Sequence, residues 1–333
     1  MKNVVKILVF VQLVFFSIGV TLAQKSSGVN ISGLAYNAYY YDFSKGSKNK
    51  NGFDISRLYF TLKKSLSENI NVRFTTDIGR VSNYQERAYY RLYLKYGYVE
   101  FNKPSWNIKL LVGLHYVPLL AYQEAVIWKY RSISKMLLDL EHKQTSSDLG
   151  VKLHGQFPGN HGEYVFSFVN GEGYAQPEIG KHKGYYWRVT LKPFTSSLPG
   201  FQITGAVSYI QSTTISSIAT YTAFATYQSP KGTLAAELSM GNDKINRLKT
   251  NFVGTSFFGF YKLTSKWTLI GRIDWFDPDK GKEIDTHFRE IIGIGYWINK
   301  DVELILDYQG VHYKEGAMKT DSNILYTHLH FVF

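Results

Sequence analysis

From Val29 to Phe333 the sequence keeps returning to one segment: apolar residues alternating with polar or small ones, closed by a punctuating cluster. A period of two places successive side chains on opposite faces of an extended strand, so each segment reads as a strand with one apolar face. Ile108, Leu110, Val112 and Leu114 share one parity, as do Trp187, Val189 and Leu191. Trp267, Leu269, Ile273 and Trp275 do the same, with Thr268, Arg272 and Asp274 on the other face. Strands are expected near 29–43, 52–64, 69–79, 88–101, 106–115, 147–157, 163–171 and 184–193. Eight more are expected near 200–211, 217–228, 232–242, 250–263, 266–276, 286–297, 302–313 and 322–333, which makes sixteen.

The connections carry a second pattern. If the first strand leaves the periplasm, every second connection is a tight periplasmic turn. Those fall at Ser65–Glu68, Asn102–Ser105, Pro158–Gly162, Phe194–Pro199, Ser229–Lys231, Thr264–Ser265 and Ile298–Asp301, and most hold Pro, Gly or Asn. The intervening connections are usually longer and more polar, such as Ser44–Asn51 and Glu172–Lys183. Such an alternation, on an even strand count, points to an all-β transmembrane antiparallel β-barrel. A soluble sandwich would leave the outward apolar band unexplained. In hydrocarbon every backbone polar group must be paired internally, so strands cross a bilayer only as a closed barrel.

The start and composition agree with export. Lys2 and Lys6 precede the nearly uninterrupted apolar run from Val4 to Val20, and Thr21-Leu22-Ala23 follows. This is the form of a secretory signal peptide cleaved after Ala23, leaving residues 24–333 as one barrel domain. An uncleaved anchor fits less well, because Gln12, Ser17 and Gly19 break the run. Removing Lys2 and Lys6 takes the net charge from +12 to +10. There is no cysteine, which excludes disulfides, thiolate metal sites and a Cys nucleophile. Aromatics reach 16%. Those near expected strand ends (Tyr39, Tyr40, Tyr89, Tyr90, Tyr98, Trp106, Tyr185, Tyr186, Tyr296, Trp297) are expected as interfacial girdles. The last strand closes on Leu325, Leu329, Phe331 and Phe333 of one parity, which resembles the insertion signal of bacterial outer-membrane barrels.

One connection differs from the rest. Between the fifth and sixth strands lies His115–Ser146, in which Tyr122–Leu140 has helix-forming composition. Long connections in compact domains are usually functional. The reading is a loop folded into the barrel, with Val126, Ile127, Met136 and Leu137 packed on the wall. Lys129, Arg131, Lys135, Glu124, Asp139 and Glu141 would then lie at the constriction; the alternative is an extracellular lid.

If the apolar parity faces lipid, the other parity faces the lumen. That turns Arg57, Lys63, Arg73, Arg91, Lys95, Lys109, Lys152, Arg188, Lys192, Arg272 and Arg289 inward, against Asp77, Asp148, Glu237, Asp274, Glu303 and Asp307. An excess of cations in a low-dielectric channel attracts anions. The competing reading is that Arg73 with Asp77, or Arg272 with Asp274, pair on the wall and cancel. His115, His154, His287, His328 and His330 fall largely on the lumen parity, but only His328 and His330 share a strand at i, i+2, which is too little for a metal site.

Several stretches resemble the phosphate-selective porin O and P family, in its Bacteroidetes-type form. They are Val112-Gly113-Leu114-His115-Tyr116-Val117-Pro118, Tyr130-Arg131, Ser147-Asp148-Leu149-Gly150, Phe53–Phe60, the Asn69–Asp77 strand and Leu306-Asp307-Tyr308. The third long loop folding inward likewise resembles general sixteen-stranded porins. The resemblance implies an anion-selective pore lined by basic residues, although no dense lysine cluster occupies one loop here and the arginines are spread along the chain.

The functional expectation is a passive diffusion channel of a Gram-negative outer membrane, preferring small anions, phosphate among them. The expected pore-lining residues are Arg57, Arg73, Arg91, Lys95, Lys109, Lys129, Arg131, Lys135, Arg188 and Arg272. The expected partners are small anionic solutes and outer-membrane lipids, with a homotrimer as the candidate assembly. No cofactor, metal or nucleic-acid partner is expected. No Gly-x-Ser-x-Gly, His-Glu-x-x-His or phosphate-cradling loop occurs, so no catalytic residue is assigned. The alternatives are a barrel-type outer-membrane hydrolase and a structural or adhesin barrel.

Overall fold

The computed structural model describes residues 28–80, 90–178, 180–282 and 284–333. The expected signal peptide and Tyr89 lie outside the described residues. The strands are β1 (Asn30–Asp42), β2 (Asn51–Ser67), β3 (Ile70–Arg80), β4 (Tyr90–Lys103), β5 (Ile108–Tyr116), β6 (Ser147–Gln156), β7 (Gly162–Val169) and β8 (Gly184–Leu191). They continue as β9 (Phe201–Thr213), β10 (Ser216–Ser229), β11 (Gly232–Ile245), β12 (Leu248–Lys262), β13 (Trp267–Asp277), β14 (His287–Trp297), β15 (Val302–Tyr313) and β16 (Ser322–Val332). Each pairs antiparallel with its chain neighbours, and β1 pairs with β16 from Leu34↔Val332 to Asp42↔Ile324, closing the barrel. Gly33 and Phe333 seal the seam with reciprocal backbone bonds of 2.7 and 3.1 Å. All sixteen expected strands are present.

The long–short alternation of connections has two exceptions. Thr214-Ile215 and Asn246-Arg247 make two-residue turns where longer loops were expected. Asn246 and Arg247 both take positive φ, 50° and 73°, the conformation that lets a two-residue hairpin follow strand twist.

The outer wall follows the apolar parity. Trp187, Leu269, Ile273 and Leu306 are 45–55% exposed there. The inner wall is not simply polar. Along β12–β15, Phe252, Phe258, Phe260, Ile270, Phe276, Ile291 and Ile305 point inward and are buried. Their partner is the long loop, so both parities of these strands are apolar.

That loop enters the lumen, as expected, but its helix is broken. A short helix α1 (Pro118–Tyr122) starts with Pro at its first turn and passes into a π-helical turn at Gln123–Trp128. The turn stops at Lys129, whose φ of 63° cannot continue a right-handed helix. A second short helix, α2 (Leu137–Leu140), follows. Ile127, Met136 and Leu137 are fully buried as expected, whereas Val126 is 40% exposed, its carbonyl accepting from Gln228 Nε2 of the wall at 2.8 Å. Trp128 is the anchor: its indole meets Phe258 and Tyr130 edge-on at 5.7 and 5.9 Å, and its N–H donates to the Ser134 carbonyl at 3.2 Å.

Polar bonds then fix the loop to one half of the barrel. Tyr122 donates to Gln202 of β9, and Gln123 donates to Glu237 of β11 at 2.7 Å. Tyr130 donates to Glu303 of β15 at 3.2 Å, and Gln144 reaches Ser208 and Thr220 of β9 and β10. The loop therefore leans mainly on β9–β15, touches β7 and β8 through α1, where Arg188 lies 4.1 Å over the Tyr122 ring, and leaves a cavity along the β1–β8 side.

Three of the expected girdle tyrosines, Tyr40, Tyr98 and Tyr186, face inward, and Tyr186 is 1% exposed. For Tyr98 the cause is a bulge in β4: Thr75 pairs with Tyr96 but Thr76 pairs with Leu94. The extra residue, Lys95, shifts the parity, so Tyr96 and Tyr98 turn inward although Leu92 and Leu94 face out.

Trp128→Ala should cost the loop docking about 3–5 kcal/mol, the usual penalty for emptying a large aromatic site. The expected outcome is rapid proteolysis within residues 129–141, with the barrel retaining its heat-dependent mobility on gels.

Candidate functional site

The space left by the loop is a cavity of about 750 Å³, reaching the short-turn end of the barrel at Asn107 and Phe157–Asn160. Its wall comes from β1–β8 with the ends of β9 and β10, and its floor from Pro118, Ala121, Tyr122, Glu124, Ala125, Val126 and Arg131 of the loop. Six cations line it: Arg57, Arg73, Arg131, Lys152, Arg188 and Lys192. Among the described residues only two carboxylates do, Glu124 and Glu163.

Both carboxylates are taken. Glu124 pairs with Arg131 at 2.9 Å, and Glu163 with Arg188 at 2.5 Å and His154 at 2.9 Å. Arg57 turns to Asp77 just outside the lining, at 3.5 Å. Among the described residues, Arg73, Lys152 and Lys192 pair with no carboxylate. Arg73 Nε donates to Thr75 Oγ1 at 3.0 Å, and its guanidinium lies 4.6 Å from the Tyr96 ring centre. Lys152 Nζ donates to the Tyr116 carbonyl at 3.3 Å and sits over that ring at 2.9 Å. The cavity thus presents a net positive field, and its free charge sits on β3, β6 and the β8–β9 connection.

Tyrosines form the rest of the wall. Tyr59 and Tyr96, Tyr96 and Tyr116, and Tyr98 and Tyr116 meet edge to face at 6.1, 6.0 and 6.3 Å. Gly113 makes room for them. Its φ is +125°, and a Cβ there would fall 2.3 Å from the Gly97 carbonyl oxygen and 2.9 Å from the Tyr98 Cα. Only glycine lets β5 approach β4 this closely.

Comparison with solved structures places this architecture among known barrels. The anion-selective porin from Comamonas acidovorans superposes with a TM-score of 0.70 at 10% identity, covering 92% of this chain and 100% of that one. OmpT of Vibrio cholerae gives 0.66 at 9% identity, covering 93% and 99%. The outer-membrane channel DcaP of Acinetobacter baumannii gives 0.64 at 11%, covering 92% and 97%. The fold is that of outer-membrane porins. No protein-family model and no curated protein matches the sequence.

Within this porin fold the ten expected site residues separate. Arg57, Arg73, Arg131 and Arg188 come together on the cavity. Lys109 is half exposed and 4.0 Å from Glu100, and Arg91 is exposed next to the 81–89 segment. Lys95 is buried away from the cavity, donating to Ser146 Oγ at 2.5 Å and lying over Tyr174 at 3.6 Å. Lys129 is exposed with its ammonium near Phe260, and Lys135 pairs with Asp139 at 3.2 Å. Arg272 is a wall bolt: two of its nitrogens hold Asp274 at 2.8 and 2.7 Å, and a third donates to the Lys135 carbonyl at 2.5 Å. The expected Arg272–Asp274 pair is therefore real, whereas Asp77 pairs with Arg57 instead of Arg73. His328 and His330 turn to Asp307 and Glu303, at 2.8 and 3.8 Å. Among the described residues no group of three or more His, Asp or Glu is placed to hold a metal ion. Tyr96 and Tyr98 went unassigned in the sequence because the β4 bulge turns them away from the face of Leu92 and Leu94, whose parity they share, whereas Tyr59 stands on the parity of Arg57 and was legible there.

Glu141, at the end of the loop, bonds to Arg289 at 2.9 Å and His287 at 3.1 Å. Its burial raises the carboxyl pKa, but these two partners overcome that and hold it down to about 2, against an ordinary 4.5. A carboxylate depressed in the folded state contributes its full stabilisation above the ordinary value and loses it as pH falls through the folded one. Cleavage of residues 129–144 by pepsin should therefore stay constant down to about pH 4.5 and rise as pH falls from there to about 2. In Glu141→Gln, cleavage should be high throughout and lack this pH step.

Proposed function

We propose that this chain is a passive diffusion channel of a Gram-negative outer membrane that prefers small anions. Residues 1–23 serve as its export leader. The observation that carries the preference is Arg73. Its guanidinium faces the cavity without a carboxylate partner among the described residues, while Glu124 and Glu163 are already engaged. Lys192 lines the same cavity without a carboxylate partner among the described residues, and Lys152, 1% exposed, lies against the Tyr116 ring. Low-dielectric walls focus such a field and raise the local anion concentration. Phosphate belongs to this reading as one of the anions that Arg73 and Lys152 would receive, as the sequence resemblance implies.

A hydrolase fits the cavity less well. Among the described residues Glu124 is held by Arg131 and Glu163 by Arg188 and His154, and the hydroxyls of the cavity are mostly phenols packed beside cations. The exposed outer residues Leu234, Phe257, Leu269 and Ile292 would meet lipid tails or, in a homotrimer, a neighbouring copy.

Reconstitution in planar bilayers across a potassium chloride gradient tests this. The wild-type reversal potential should report chloride over potassium. Arg73→Gln combined with Lys152→Gln should lower that permeability ratio several-fold, whereas Arg272→Gln should act on loop stability instead. A wild-type potential of the cation-selective sign would end the anion reading.

A further inference from the structure

The inner wall is built in two ways, and the difference follows the loop. Where β9–β12 meet the loop, the inward polar positions carry small hydroxyls such as Ser208, Thr220, Thr222 and Ser239, with phenylalanines between them. Where β1–β5 face the cavity, they carry tyrosines. Tyr96, Tyr98 and Tyr116 are half-buried, so part of each ring meets the cavity rather than protein. A wall that merely bounded water would not need large apolar ring surface at these positions, because serine and threonine satisfy water at lower cost.

The charges are placed in step with the rings. Arg73 lies on Tyr96 and Lys152 on Tyr116, so an anion paired with either cation has a phenol surface within one ring's width. A volume of about 750 Å³ far exceeds an inorganic anion and falls within the roughly 300–1,000 Å³ typical of sites for organic molecules. Leu34, Pro118 and Val165 add further apolar lining.

We infer that the cavity is a binding subsite for organic anions that carry a carboxylate or phosphate on a ring. The charged head pairs with Arg73 and Lys152, and the ring lies against Tyr96, Tyr98 and Tyr116. This rests on the anion-channel reading for its charged half only; the ring half rests on the tyrosine wall. The rings give such solutes a residence that acetate or inorganic phosphate lacks.

Calorimetric titration of the full chain in detergent separates the two halves. Benzoate and phenyl phosphate, with glucuronate and glucose 6-phosphate as the saccharide arm, are compared with acetate and inorganic phosphate. Ring-bearing anions of one arm or both should bind about tenfold more tightly than the bare head, the increment expected from one good ring contact. Tyr96→Leu and Tyr116→Leu should each reduce that ratio toward one, and Tyr96→Phe should keep it. Arg73→Gln should weaken ring-bearing and bare anions together. Gel mobility with and without heating confirms that each variant is folded. Equal affinity for bare and ring-bearing anions in the wild type, or an unchanged ratio in both leucine variants, would overturn the inference. The anion reading is judged separately, by the reversal potential, so a channel of the wrong ionic sign and a channel without ring preference give different results.

Discussion

Everything in this molecule depends on the pairing of β1 with β16. A sixteen-stranded sheet left open would expose a row of unpaired backbone amides and carbonyls at each edge, a cost that hydrocarbon does not allow. The closure from Leu34 to Asp42, with Gly33 and Phe333 bonded at its end, removes both edges. It also defines an inside. Once the ring is closed, each inward side chain must find a partner across the lumen, along the wall or on whatever enters the barrel.

The long loop answers that demand on one side only. Its apolar residues cover the phenylalanines of β12 and the isoleucines of β13–β15, and its polar groups bond to β9–β11 and β13–β15. Burial is thus concentrated in one half of the lumen, where Trp128 and Arg272 act as neighbouring bolts, the guanidinium 5.9 Å from the indole. The opposite half keeps its charge and its rings in an open cavity. The asymmetry gives the lumen one open, chemically distinct wall.

Pairing on the cavity decides which of its charges are left uncompensated. Arg57, Arg131 and Arg188 are partly cancelled by Asp77, Glu124 and Glu163, and they act mainly as structural members. Arg73 and Lys152 are not cancelled, and aromatic rings rather than acids hold them in place. A ring face steadies a cation without neutralising it, so Arg73 stays uncompensated on the cavity, whereas Lys152 is buried against its ring.

The sequence by itself determined the strands, their number, the inward fold of the loop and the parity of most lumen charges. Alternation, turn chemistry and connection length are local properties, legible at Trp267–Trp275 or Lys103-Pro104 without any neighbour. Only the tertiary structure decided which faces stayed polar, which arginines were paired and which wall carried the rings. The bulge at Lys95 arises from the pairing of β3 with β4 and reverses the faces of Tyr96 and Tyr98, an event that no count along β4 alone reveals. Arg57 takes Asp77 from Arg73 because the register of β2 on β3 brings them together, and Lys129 leaves the cavity because the loop turns at a positive φ. Cross-strand register and loop docking are relations between segments far apart in the chain, and closure of the barrel is what sets them.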